Sequence, residues 1–320
     1  MPPGRRPDAL HFLARLVQPS TETADAATTS WKSNLELMHH FTAVTWRTLP
    51  QADAIGDIWQ LELPRLAMGH DFLMHQLLAV AAAHMAYLLH RQMGSTDAGA
   101  SYSRRAAQHQ NSAIQQLRPT LEAIDDAHLS AVFLAMSLLS VSVFPTTSNA
   151  TRPDGGPGVT ELLGVMVALK GMHGVLSQHH AELEASPIAE RMLRLGRYDR
   201  DSQLLDELTD ELTILLRLLS MGDGEANSAR DTCLRDTIED FIHWIRHTCE
   251  SVEEPEVRLA MTWPARLTDG FLDLVTRRDA GALKVVRCYC RILEALGPAC
   301  WYLDGWGERA LVDIDRTISC

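Results

Sequence analysis

Apolar residues recur at intervals of three and four along most of the chain, and no run alternates convincingly with the period of a strand. From Asn34, the residues Leu35, Met38, Phe41, Thr42, Thr45 and Leu49 keep the helical period, and Pro50 ends the run. A short helix follows over 55–67, with Pro64 expected to kink or stop it. Asp71 offers an N-cap for a helix over 72–93. That segment is apolar on nearly every face, and its central alanines (Ala79, Ala81, Ala82, Ala83) let neighbours approach closely, so it reads as a central buried helix.

The next helix, 97–124, has only a narrow apolar stripe, and Asp125 caps an apolar helix over 126–144. Residues 145–158 are rich in proline and glycine and read as a loop and as the best internal boundary. A helix over 160–180 carries Gly164, Gly171 and Gly174 on one face, a pattern that predicts close packing of another helix or of a ligand. Further helices are predicted over 187–195, 202–220, 226–251, 263–277, 280–296 and 306–317. Residues 1–30, a short helix over 8–17 followed by a Thr/Ser/Ala/Asp-rich linker, form a flexible arm. The pattern therefore predicts an all-α fold, one large helical domain of about a dozen helices over 31–320.

Charge narrows the partners. Twenty-nine basic against 41 acidic residues give 29 − 41 = −12. The basic pairs Arg5-Arg6, Arg104-Arg105 and Arg277-Arg278 are scattered, so direct nucleic-acid binding is not expected. The longest apolar run, 129–144, falls short of the roughly 20 residues that span a bilayer, so no membrane span is expected. The cysteines (Cys233, Cys249, Cys288, Cys290, Cys300, Cys320) lie in the last third without a C-x2-C pair, which argues for reduced thiols, not a zinc site. No signal peptide is read at the N-terminus, so the protein is expected in the nucleus or cytoplasm.

Histidine is the tempting chemistry. His70, His75, His84 and His90 are separated by five, nine and six residues, which is not ligand spacing on a helix, so neither metal nor cofactor is expected. Nine residues at 100° each place His75 and His84 on opposite faces, as polar groups inside a helical core. No P-loop, G-x-G-x-x-G or G-x-S-x-G is present. Trp301 and Trp306 flank glycines near the C-terminus, where aromatics either line a pocket or pin a terminal helix. The carboxylates Asp206, Glu207, Asp210 and Glu211 read as a solvated face.

Several segments together carry a resemblance: ELMHHFTAVTWRTL from Glu36, IWQLELPRLAMGHDFLMHQLLAVAAAHMA from Ile58, YSRRAAQHQNSAIQQLRPTL from Tyr102, HLSAVFLAMSLLSVSVF from His128 and WYLDGWGERAL from Trp301. In this order they resemble the C-terminal regulatory domain of fungal zinc-cluster transcription factors, most of all the sterol uptake control group. The resemblance implies an all-α fold with a hydrophobic pocket that holds a sterol in that group, a homodimer or partner transcription factor, and a nuclear role. The family's zinc cluster begins C-x2-C, whereas the first 232 residues here hold no cysteine, so as it stands the chain is not expected to bind DNA in that manner. The leading expectation is a regulator sensing a hydrophobic small molecule, a sterol or a terpenoid or polyketide metabolite. The alternative is a cofactor-free enzyme of secondary metabolism, whose greasy pocket orients a substrate for cyclisation or isomerisation. Met74, Leu78, Phe133, Met136, Trp301 and Trp306 are the expected ligand contacts, and His75, His84 and Asp71 are the polar groups if the pocket is catalytic.

Overall fold

The computed structural model describes residues 13, 30–50, 52–94, 96–122, 124–148, 158–198, 201–221 and 228–319. Among them regular structure is helical throughout, as the periodicity predicts. The expected helix over 8–17 and the linker to residue 29 lie outside the described residues, apart from Leu13, which is fully buried. The helices group into two compact units, one of residues 1–150 and 171–194, the other of 151–170 and 195–320. The first change between them falls within the proline- and glycine-rich stretch 145–158.

The first unit begins with α1 (Ser30–Ala43) and a 3-10 turn, Thr45–Thr48, which ends before Pro50. Pro64 does not stop the chain. Helix α2 (Ala52–Asp57) runs through a π turn, Ile58–Glu62, into α3 (Leu63–Ala67), and Pro64 sits in the first turn of α3, where a missing N–H is tolerated. Helix α4 (Asp71–Met93) packs against α1, α5 (Asp97–Glu122) and α6 (Asp126–Ser148). Asp71 is its first helical residue; the N-cap is His70, whose side chain makes no capping bond. Asp125 does cap α6, its Oδ1 accepting from the His128 N–H at 2.9 Å. Helix α6 outruns the expected end at residue 144 and passes through Pro145 to Ser148, because a proline near a C-terminus removes only one donor from the ladder.

Helices α4 and α6, and α7 (Val159–Ser177), are each long and apolar enough to cross a membrane. In α4 and α6 most of that surface is buried inside the protein. Gly164 and Gly174 of α7 do not serve close packing: a Cβ added at either would meet nothing within 4 Å. The short helices α8 (His180–Glu184) and α9 (Pro187–Leu193) complete the first unit, and Arg191 of α9 bridges Asp57 at 2.6 Å and Glu62 at 3.0 Å.

The second unit holds α10 (Gln203–Met221), α11 (Ala229–Ser251), α12 (Pro255–Arg266), α13 (Asp269–Thr276), α14 (Ala280–Leu296) and α15 (Trp306–Ile318). The predicted helix over 263–277 is two helices, divided where the Thr268 hydroxyl accepts from the Phe271 N–H and caps a new start. Trp263 stacks on Phe241 with centroids 4.2 Å apart and touches Tyr289 at 5.0 Å, while the Tyr289 hydroxyl donates to the Ala260 carbonyl at 2.6 Å. Helices α14 and α15 approach so closely that a Cβ at Gly307 would stand 2.2 Å from the Glu294 nitrogen. Gly305, at φ 75°, begins α15 in the left-handed region. Glu207 and Glu211 are not merely solvated: they pair with Arg291 and Arg287 at 2.9–3.2 Å and tie α10 to α14.

Candidate functional site

Helix α4 crosses the centre of the first unit, and its alanines bring α1, α5 and α6 close. The longer polar side chains of α4 therefore reach its neighbours directly. His75 and His84 point to different partners, as their helical angle requires. The His75 Nδ1 meets the Nδ1 of His109 on α5 at 2.9 Å. The His84 Nδ1 meets the Thr45 hydroxyl at 3.0 Å, and its ring lies 5.2 Å from that of His40. One Nδ1 of the 75–109 pair must carry the proton and the other accept it, which needs at least one neutral ring. Burial supplies that condition. It pulls His84 and His109 down to about 4, with His40 and His75 respectively adding like-charge repulsion. His40 and His75 are lowered too, first by burial.

Between the histidine pairs lies a buried polar chain. Gln76 of α4 donates to Ser142 of α6 at 2.8 Å, and Ser142 donates to the Gln110 carbonyl oxygen of α5 at 2.9 Å. Gln110 Nε2 in turn donates to Thr146 at 3.2 Å. These bonds join the three helices at fixed register in an otherwise apolar core. By contrast, Nε2 of His40 and Nε1 of Trp46, both buried in the first unit, have no partner among the described residues. Trp46 lies over Gly56, where a Cβ would sit 2.6 Å from its ring. A buried polar atom without a partner is costly, and such atoms mark places where another molecule completes the bonding.

The expected site residues are distributed as follows. Leu78, Phe133 and Met136 are buried and Met74 is partly buried, all in the first unit. His75 is partly buried and His84 is 3% exposed, while Asp71 is exposed at the start of α4. Trp301 and Trp306 belong to the second unit, where both are buried and Trp301 meets Tyr302 edge-on at 5.7 Å. His40 belongs to the early histidine cluster of the sequence, but neither it nor Thr45 nor His109 is an expected site residue, because their partners lie on other helices, at separations that no spacing rule covers. No group of three or more metal-ligating residues exists among the described residues. Burial pushes the Cys288 thiol up to about 12 and Cys290 higher still, so neither is a ready thiolate.

Comparison with known proteins adds the lineage. Residues 36–152 match the fungal specific transcription factor domain. Over 290 residues the chain is 23% identical to sterol uptake control protein 2 of Saccharomyces cerevisiae, covering 88% of this chain and 30% of that protein. It is 25% identical over 331 residues to sterol uptake control protein 2 of Candida albicans, covering 93% and 43%. It is 31% identical over 265 residues to a Zn(2)-C6 fungal-type transcription factor of Aspergillus fumigatus, covering 78% and 64%. The chain thus spans from under a third to just under two thirds of the length of these relatives.

Proposed function

From the match of residues 36–152 to the fungal specific transcription factor domain, we propose a regulatory domain that senses a hydrophobic small molecule in its first unit. The observation that carries this reading is the enclosed, unpartnered Nε2 of His40 beside the His84–Thr45 bond. A ligand with a large apolar body and one hydroxyl or carbonyl suits such a place. The body replaces core contacts along α4 and α6, and the polar group completes the bonding of His40. The names of the sterol uptake control relatives make a sterol the first candidate. Met74, Leu78, Phe133 and Met136 are the proposed apolar contacts, with His40, His84 and Thr45 as the polar ones. Trp301 and Trp306 belong to the second unit and are not part of this proposed first-unit site. Neutral imidazoles favour this role, since a charged ring facing a hydroxyl in an apolar core would carry a desolvation penalty.

The 320 residues hold no C-x2-C pair, so in the proposed regulation the contact with DNA is made outside these residues. Titration with a fluorescent sterol tests the reading. Saturable binding is expected, weakened about tenfold or more in His40→Phe, with the helical signal of the variant unchanged. Equal binding by wild type and variant removes His40 from the site, and the absence of saturable binding removes the sterol.

A further inference from the structure

Several partly exposed arginines of this acidic protein are matched by carboxylates. Arg191, Arg230, Arg266, Arg278, Arg287 and Arg291, each at least a quarter exposed, all hold carboxylates within 3.3 Å. Arg258 on α12 is the contrast. Its Nη2 is fully enclosed, and among the described residues it has no hydrogen-bond partner and no carboxylate pairs with its guanidinium. Burial draws its pKa below the usual arginine value, with no charged neighbour contributing. Arg258 is partly exposed, but burying its Nη2 without a counter-charge is unfavourable. With 41 acidic residues in the chain, a carboxylate opposite Arg258 is readily available to the sequence, yet none is placed there.

The surroundings are ordered. Helices α11 and α12 run antiparallel in a register fixed by Arg266 with Asp240, and by the Trp244 indole N–H donating to Thr262 at 3.0 Å. One turn further along each helix brings Arg258 level with the turn from His247 to Ser251. There His247 lies parallel to Trp244 at 4.9 Å, and its Nδ1 stands 3.3 Å from the Ser251 hydroxyl. Trp244 and Thr262 satisfy each other, whereas Nη2 of Arg258 has no hydrogen-bond partner among the described residues.

We propose that Arg258 anchors a second binding site, between α11 and α12, for a ligand bearing a carboxylate or a phosphoryl group. The guanidinium fork supplies two parallel donors to an oxyanion, the geometry for which arginine is suited. This site is separate from the His40 region of the first unit and independent of the sterol reading.

Thermal unfolding of the full chain at constant ionic strength tests it, with chloride exchanged for inorganic phosphate in one series and for acetate in another. Wild type is expected to gain about 2–4 °C more than Arg258→Met in one of the two series, and that series tells phosphoryl from carboxylate recognition. Equal shifts in both proteins, in both series, overturn the site. Should Arg258→Met not fold, the guanidinium resonances of Arg258 in wild type decide: saturable movement with either anion supports the proposal, and no movement ends it.

Discussion

Gly307 and Gly164 show how opposite demands fall on the same residue type. At Gly307 a Cβ would meet the backbone of Glu294 and the Cys290 carbonyl inside 2.6 Å, and neither can turn aside as a side chain would. Gly307→Ala is expected to destabilise by about 3 kcal/mol, read as a lower denaturant midpoint. At Gly164 and Gly174 a Cβ meets open space within a helix, so alanine removes only backbone entropy from the unfolded chain. Each of Gly164→Ala and Gly174→Ala is expected to stabilise by about 0.5–1 kcal/mol, and a loss at either would show that the face is covered. The periodic glycines of α7 and the aromatic-flanked glycines near the C-terminus look alike in sequence. Only the neighbouring helix distinguishes them.

Helices α4, α5 and α6 are joined by hydrogen bonds that run from Gln76 through Ser142 to Gln110 and Thr146. Replacing Ser142 with alanine leaves Gln76 without its acceptor in an apolar core, and is expected to cost about 1–3 kcal/mol. Ser140→Ala, whose hydroxyl only returns to the Ser137 carbonyl, is the control and should cost much less; equal losses would mean that the chain of bonds holds nothing together. The helices themselves were legible, because the apolar period and the caps are local. α14 falls on its predicted bounds, and Asp125 caps α6 as expected. The errors sit where tertiary packing overrides a local signal: Pro145 lies inside α6, and Thr268 starts a second helix where one was predicted. Within the candidate site, the opposite directions of His75 and His84 followed from helix geometry. Their partners His109, Thr45 and His40 did not, since contacts between helices have no sequence spacing.

The whole chain should be sensitive to mild acid. His84 and His109 titrate at about 4 when folded and near 6.5 when unfolded, so between these values the unfolded chain binds more protons. Their stabilising contribution is complete above about pH 7 and is lost as pH falls towards 4. At pH 5 the loss is about 2 kcal/mol for each histidine, in a window above the range where ordinary carboxylates titrate. Melting temperatures measured from pH 7.5 to 5 check this, and a flat profile would mean that these rings are not buried as described. The unpartnered Nε2 of His40 beside the neutral His84 ring, in a domain similar to sterol uptake control proteins, underlies the claim that the first unit holds a hydrophobic ligand. Native mass spectrometry of the purified chain, with organic extraction and identification of whatever accompanies it, tests that claim most directly. A stoichiometric mass increment is expected, which extracts as an intact lipid carrying a single polar group and returns when the stripped protein is incubated with a sterol. A bare protein mass that stays unchanged on adding sterols or terpenoids would contradict it.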